Sequence, residues 1–289
     1  MIGVAGVATS DTAIVVYVEG SVALDHGGPV LEIGDRIPTD AVLILATDSL
    51  IEIDLPDGRL VLSQPGRYEL ASLSARAGNP ATRAAAGAVR RLVRSLGRNP
   101  VQARPAVAAG VRGNEVLGPA TTDPVWVAGD IADELIEEAL AYLDDGLYDL
   151  ALETLTDARE FGAAEPTVNF YRAIVYQQAG DLRRALSVLT EAEPPARDPL
   201  WEAHTLLRAE LFYDLSMHPA VHGLIEPLLE EAGTLSDDAR SSAMLLLALS
   251  YDAYERPRKA AHYLDLLERE VAAGNDELIE LIAGLRAAW

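Results

Sequence analysis

Residues 139–158 read ALAYLDDGLYDLALETLTDA, and residues 173–192 read AIVYQQAGDLRRALSVLTEA. Laid over one another at an offset of 34, they match at six positions among others: Ala139 with Ala173, Tyr142 with Tyr176, Gly146 with Gly180, Ala151 with Ala185, Leu155 with Leu189 and Ala158 with Ala192. Matches at one offset define a repeat, and a repeat of this length is one supersecondary unit stacked on its neighbour. Each position has a physical reason. Alanine lets paired helices approach closely. Glycine suits a turn where φ is positive. Tyrosine and leucine bury between neighbouring units. A third, degenerate unit carries Trp201, Leu207, Leu211, Ala220, Leu224 and Leu228, and a fourth carries Ala248, Tyr251, Ala260, Leu264 and Leu267. Asn275 is placed to cap a final helix, with Asp276 and Glu277 in its first turn. Residues 129–289 are therefore expected to form about four helical pairs and a capping helix.

Charge divides the chain at the same place. The 289 residues carry a net charge of −22, of which residues 129–289 hold 32 acids against 12 bases and residues 1–128 only 13 acids against 11 arginines. An acidic surface disfavours nucleic acid, which needs a basic one. Hydrophobic content of 49% is enough for a folded core, and no run of 18 apolar residues spans a membrane. There is no cysteine, which excludes disulfides, thiol catalysis and thiolate metal sites. Lysine occurs once, as Lys259.

Residues 13–71 have the short period of strands. Ile14–Val18 is β-branched and aromatic, Val42–Leu45 is continuously apolar, and Leu50–Leu55 alternates. Pro56-Asp57-Gly58 turns the chain into Leu60–Leu62, and Pro65-Gly66 precedes Tyr68–Leu70. A small all-β module follows from these signals. Within it, Ala84–Leu96 reads as a short amphipathic helix, with Ala88, Leu92, Val93 and Leu96 on one face and arginines on the other. Asn99-Pro100 and Arg104-Pro105 flank an expected loop. Ala106–Val111 reads as a strand, and Pro124–Ala128 as a last strand or a linker.

From Ala71 to Asn114 the chain has no acid and eight arginines. Three readings of this run stand side by side: a solvated helix face and loop, a segment that docks on the acidic half in cis or in a dimer, and a contact to nucleic acid or lipid. The run closes on Arg112-Gly113, where the arginine is expected to be structural, forked onto backbone carbonyls or onto a carboxylate of the β module such as Asp35 or Glu52.

The 34-residue helix–turn–helix resembles the tetratricopeptide repeat. Gly20, Leu31-Glu-Ile-Gly34-Asp35, Ile37, Thr47, Ser49, Ile53, Leu55-Pro-Asp57-Gly58, Leu60, Leu62 and Tyr68, followed by Val111-Arg112-Gly113-Asn114, resemble the FecR-type domain. Arg59 stands where that pattern commonly has serine, and Asn114 where it has threonine. The expected architecture is thus an α+β two-domain chain: a flexible start (1–12), a small all-β FecR-like domain of solenoid or sandwich type (13–128, with a basic helix and loop at 83–105), then a tetratricopeptide-repeat solenoid (129–289). The resemblance makes Gly34, Asp35, Asp57, Gly58, Arg112 and Gly113 structural residues of the FecR-like motif. It also implies a bacterial cell-envelope protein on the periplasmic or extracytoplasmic side. The start, MIGVAGVATSDT, has no basic segment and no full apolar core, so a signal peptide would lie outside this sequence.

Repeat arrays of this kind bind a protein or peptide in a concave groove. The register places Asp133, Ile136, Leu140 and Leu143, then Thr167, Phe170, Ile174 and Gln177, then Glu202, Thr205, Ala209 and Phe212, on that face. No lysine or arginine is among them, so an apolar segment with basic flanks fits better than a C-terminal carboxylate. His218 and His222 are four apart, but Pro219 puts His218 at a helix start and no third metal ligand follows. The sequence has no phosphate loop, dinucleotide fingerprint, H-E-x-x-H or G-x-S-x-G. No catalytic residue, metal or cofactor is expected. The expected function is a scaffold or signalling protein that binds a partner through the groove, with a homo-oligomer admitted. The alternatives are a small-molecule or glycan sensor acting through the β module, and an enzyme accessory domain.

Overall fold

In Leu50–Leu55 the side chains of Ile51 and Ile53 are fully buried while Glu52 and Asp54 are only partly covered, the two-residue period of a half-buried strand. A computed structural model describes residues 12–25, 27–56, 58–77, 79–102, 128–231, 233–270 and 275–289. Among them, seven strands precede eleven helices. The strands are β1 (Thr12–Glu19), β2 (Val22–Leu24), β3 (Arg36–Pro38), β4 (Val42–Leu45), β5 (Leu50–Leu55), β6 (Gly58–Leu62) and β7 (Gly66–Glu69). Two antiparallel sheets result, one ordered β3-β1-β5-β6 and the other β2-β4-β7. Both feed one apolar core: Val15, Ile37, Ile51, Ile53 and Leu62 come from the first sheet, and Val22, Leu43 and Leu45 from the second. Each such side chain contributes roughly 1.5–3 kcal/mol by leaving water.

The turns between strands are held by side chains of the expected motif. Ser49 Oγ accepts from Ser21 N at 2.9 Å and donates to Ser21 O. Gly20 sits against it with φ +74, where an added Cβ would lie 2.8 Å from the Asp48 carbonyl oxygen. Gly34 takes φ +95 and donates its N–H to Val15 O, while Asp35 Oδ2 accepts from Glu32 N at 2.8 Å. Gly58 opens β6 opposite Leu55. Asp57, Arg112, Gly113 and the expected strand Ala106–Val111 lie outside the described residues.

Helix α1 (Leu70–Ala77) and helix α2 (Pro80–Gln102) follow the sheets. Asn79 Oδ1 accepts from Ala81 N and Pro80 occupies the first turn, an ordinary helix start. Here the structure corrects the sequence reading. The basic helix begins before Ala84, and it continues through Asn99-Pro100, where a loop was expected. Its buried stripe is Ala85, Val89, Val93 and Gly97, each four residues on. Ala128 starts a helix, not a strand.

Nine helices then follow among the described residues: α3 (Ala128–Asp144), α4 (Tyr148–Glu160), α5 (Glu165–Gln178), α6 (Leu182–Glu191), α7 (Trp201–Asp214), α8 (His218–Glu230), α9 (Asp237–Ala253), α10 (Pro257–Glu270) and α11 (Asp276–Ala288). None of these helices is long and apolar enough to cross a membrane. The same turn closes α3, α5, α7 and α9. The residue after each αL position donates its N–H to the carbonyl five back: Leu147 to Tyr142, Asp181 to Tyr176, Met217 to Phe212 and Arg256 to Tyr251. The αL residues are Gly146 (φ +73), Gly180 (φ +84), Ser216 (φ +57) and Glu255 (φ +56). A side chain in that conformation costs about 1–2 kcal/mol. Glu255→Gly is therefore expected to raise stability by about 0.5–1 kcal/mol in a denaturant titration, after the greater freedom of glycine when unfolded. A loss of stability would show that the strain is absent.

Packing groups the chain differently from composition. One unit joins the residues up to Arg91 with Phe212–Trp289, and the other is Leu92–Leu211. By chain continuity, α2 and α7 each begin in one unit and end in the other.

Candidate ligand-binding cleft

The first unit holds a concavity of mixed chemistry. Its base is β6, an edge strand, and an unpaired edge needs cover. The α7–α8 turn supplies it: Ser63 Oγ donates to Leu215 O at 2.7 Å, and Ser216 Oγ donates to Val61 O at 2.5 Å. Ser216 is one of the αL residues, so the turn that ends α7 also presents the hydroxyl.

Beside this seam opens a cleft of ≈ 590 Å³. Arg59, Leu60 and Tyr68 line it from the β6–β7 side, and Arg83, Ala86 and Arg90 line it from α2. Tyr213, His218 and Tyr254 close the remaining side. Arg90 Nη2 reaches both carboxylate oxygens of Asp214, at 2.9 and 3.0 Å, and the Asp214 side chain is only 12% exposed. Arg91 meets Glu277 at 3.1 Å on the open surface, where a pair is worth little. Two arginines of the basic run, Arg90 and Arg91, thus meet acids of the helical half within this unit.

His218 belongs to a buried polar network. It lies four residues before His222 on α8, and both rings turn to Ser250 on α9, which is fully buried. His218 Nδ1 is 3.2 Å and His222 Nε2 3.1 Å from Ser250 Oγ. The hydroxyl has one proton, so it donates to one imidazole and accepts from the other. Burial, with the neighbouring His222, pushes His218 down to about 4. Burial likewise brings His222 to about 4, against the opposing pull of Glu226. Both are neutral at pH 7. The pair considered as a metal motif thus converges on a serine, and no third metal ligand joins it among the described residues.

The network continues outward. His222 stacks on Tyr251 at 3.7 Å between centroids, and Tyr251 in turn lies parallel to Tyr263 at 5.7 Å. Both phenols donate to Glu226 Oε1, at 2.6 and 2.9 Å. Lys259, the single lysine, donates to the Tyr251 hydroxyl at 2.8 Å and lies over its ring. Burial raises the Glu226 carboxyl, but the two phenols and the ammonium outweigh it and hold it below the ordinary value.

The expected groove residues fare differently. Ile136, Leu143, Phe170 and Ile174 are all buried, Phe170 completely. Asp133, Leu140 and Gln177 are half-buried, and Gln177 donates to Glu210 at 2.8 Å. Phe212 is half-buried and belongs to the other unit. What covers Phe170 is the chain itself. A Cβ added at Gly97 of α2 would lie 2.6 Å from Phe170 Cζ, and Tyr171 donates its hydroxyl to Gly97 O at 2.9 Å. Phe170 is therefore not offered to a partner in this state.

Sequence reasoning missed the cleft. Its signals were present in Arg83 and Arg90, seven apart in the acid-free run, and in the His218–His222 spacing. Nothing local, however, brings α2, β6 and α9 together. No protein-family model matches the chain, and no curated protein sequence matches it.

Proposed function

We propose that this chain is a non-enzymatic binding protein of the bacterial cell envelope, built from a FecR-like β region and tetratricopeptide-like helical pairs. Of the two modes expected, the sensor reading fits the geometry better than the groove reading. One contrast carries this. Phe170, one of the two phenylalanines of the expected groove, is 0% exposed and covered by α2, while an open cleft lined by tyrosines and arginines stands against β6. Pockets of a few hundred Å³ with an apolar lining and a few convergent polar groups are the usual form of small-ligand sites. The four turns with an αL residue and a common hydrogen bond support the repeat likeness. The Ser49–Gly20 and Gly34–Asp35 turns give the FecR-like motif residues structural work.

A thermal-shift screen of small metabolites and glycans tests the reading. Ligands that raise the melting temperature of the chain are expected to lose that effect in Ala86→Trp, which fills the cleft, and to keep it in Leu140→Glu, on the groove face. The reverse pattern would restore the groove. Phe170→Glu does not serve here, because a buried charge would unfold the helices before it tested any contact.

A further inference from the structure

The cleft assigned above has a chemical bias that its size alone does not dictate. Four arginines line it (Arg59, Arg67, Arg83 and Arg90) against three acids (Asp214, Asp252 and Glu255). In a chain of net charge −22 this is a local concentration of arginine. Three of the arginines have carboxylates of their own. Arg59 meets Asp54 at 2.8 Å, Arg67 meets Asp25 at 2.8 Å, and Arg90 holds Asp214. Arg83 is exposed and pairs with no carboxylate among the described residues.

The sequence explains why. Helix partners sit three or four residues away. For Arg83 those positions are Asn79, Pro80, Ala86 and Gly87, none of them acidic, and α2 contains no acid at all. Ala86 and Arg90, at +3 and +7, lie on the same face as Arg83 and line the same cleft. Thr82 lines the cleft as well. Opposite, Leu60, Leu62, Leu73 and the rings of Tyr68 and Tyr254 give an apolar wall.

Resting on the cleft being the binding site, we infer that its ligand is an organic anion: an apolar or aromatic body carrying a carboxylate, phosphate or sulfate head that Arg83 receives. The acid-free stretch of the sequence then has a purpose, since it keeps one guanidinium unneutralised for a charge the ligand brings. A guanidinium–oxyanion contact is stronger than a neutral hydrogen bond and specific for planar or tetrahedral oxyanions.

Two probes with one ring system separate the parts of this claim: 8-anilinonaphthalene-1-sulfonate, and N-phenyl-1-naphthylamine, which lacks the sulfonate. Their fluorescence is titrated with the full chain. The sulfonate probe is expected to bind, and to weaken about tenfold in Arg83→Gln. It should also weaken on raising salt from 50 to 500 mM, while the uncharged probe is unmoved by either change. Arg83 is exposed, so the variant should fold, and circular dichroism checks this. If Ala86→Trp abolishes binding of both probes but Arg83→Gln affects neither, the cleft stands and the anionic class is overturned. If Ala86→Trp leaves both probes bound as before, the cleft itself is not the site, and the inference falls with it.

Discussion

Acidifying the protein from pH 7 to pH 4 is expected to remove about 3 kcal/mol of stability through His218 alone. In the folded state this imidazole titrates near 4, against 6.5 when unfolded. Between those values the unfolded chain binds the proton and the folded chain resists it. The stabilising difference is therefore complete above pH 6.5 and is lost as pH falls, down to about 4. The groups facing His218 are Tyr213 on α7, His222 on its own helix, Ser250 on α9 and Tyr254 at the end of α9. None of them is an acid that would hold a proton on the ring. His222 adds to the slope in the same direction, though Glu226 moderates it. Because many carboxylates also titrate in this range, the informative quantity is a difference. Urea titrations of the chain and of His218→Gln, across pH 4 to 7, should show a shallower loss in the variant. Parallel curves would mean that His218 is reached by solvent and carries no such penalty.

Gly97→Ala is the second large effect, and its sign runs against helix propensity. In an exposed helix interior the change would stabilise by roughly 1 kcal/mol. Here the new methyl would sit 2.6 Å from Phe170 Cζ, and Phe170 is fully buried, with Tyr171 edge-on at 5.3 Å. Neither ring has space to yield, so a net loss of about 1–3 kcal/mol is expected. Phe170→Leu supplies the control. It costs stability by itself, but it removes the atoms the methyl meets, so Gly97→Ala should be nearly neutral or stabilising in that background. A double-mutant cycle with a coupling energy near zero would place the ring elsewhere.

The sequence showed most where periodicity is strict. β5 was read to the residue because six successive side chains alternate, and β4 because its four are an unbroken apolar run, whereas β2 and β3 have three residues each, too few to display a period. The repeat was plain at Gly146 and Gly180, where the αL turn has its favoured residue. It faded at Ser216 and Glu255, which adopt the same turn without glycine. The basic helix was found but its ends were not. Pro100 was taken to mark a loop, whereas α2 runs on to Gln102. Phe170 and Ile174 were placed on a groove by register. Register gives the face of a helix, but it does not tell that another segment of the chain covers it. For the same reason the cleft was invisible: a solvated face was one of three readings open for the run that holds Arg83 and Arg90, and the meeting of Arg90 with Asp214 spans 124 residues.

That separation sets an order in time. The hydrogen bonds that cover β6 come from residues 152 and 155 positions further along the chain, and the Arg91–Glu277 pair spans 186. At about 5–20 residues per second of synthesis, the sheet edge stays open for roughly 8–30 s after its own strands have emerged. The N-terminal sheets are thus made first and finished last. Chaperone dependence, or premature pairing of β6 with another nascent chain, belongs to that interval and not to the completed fold.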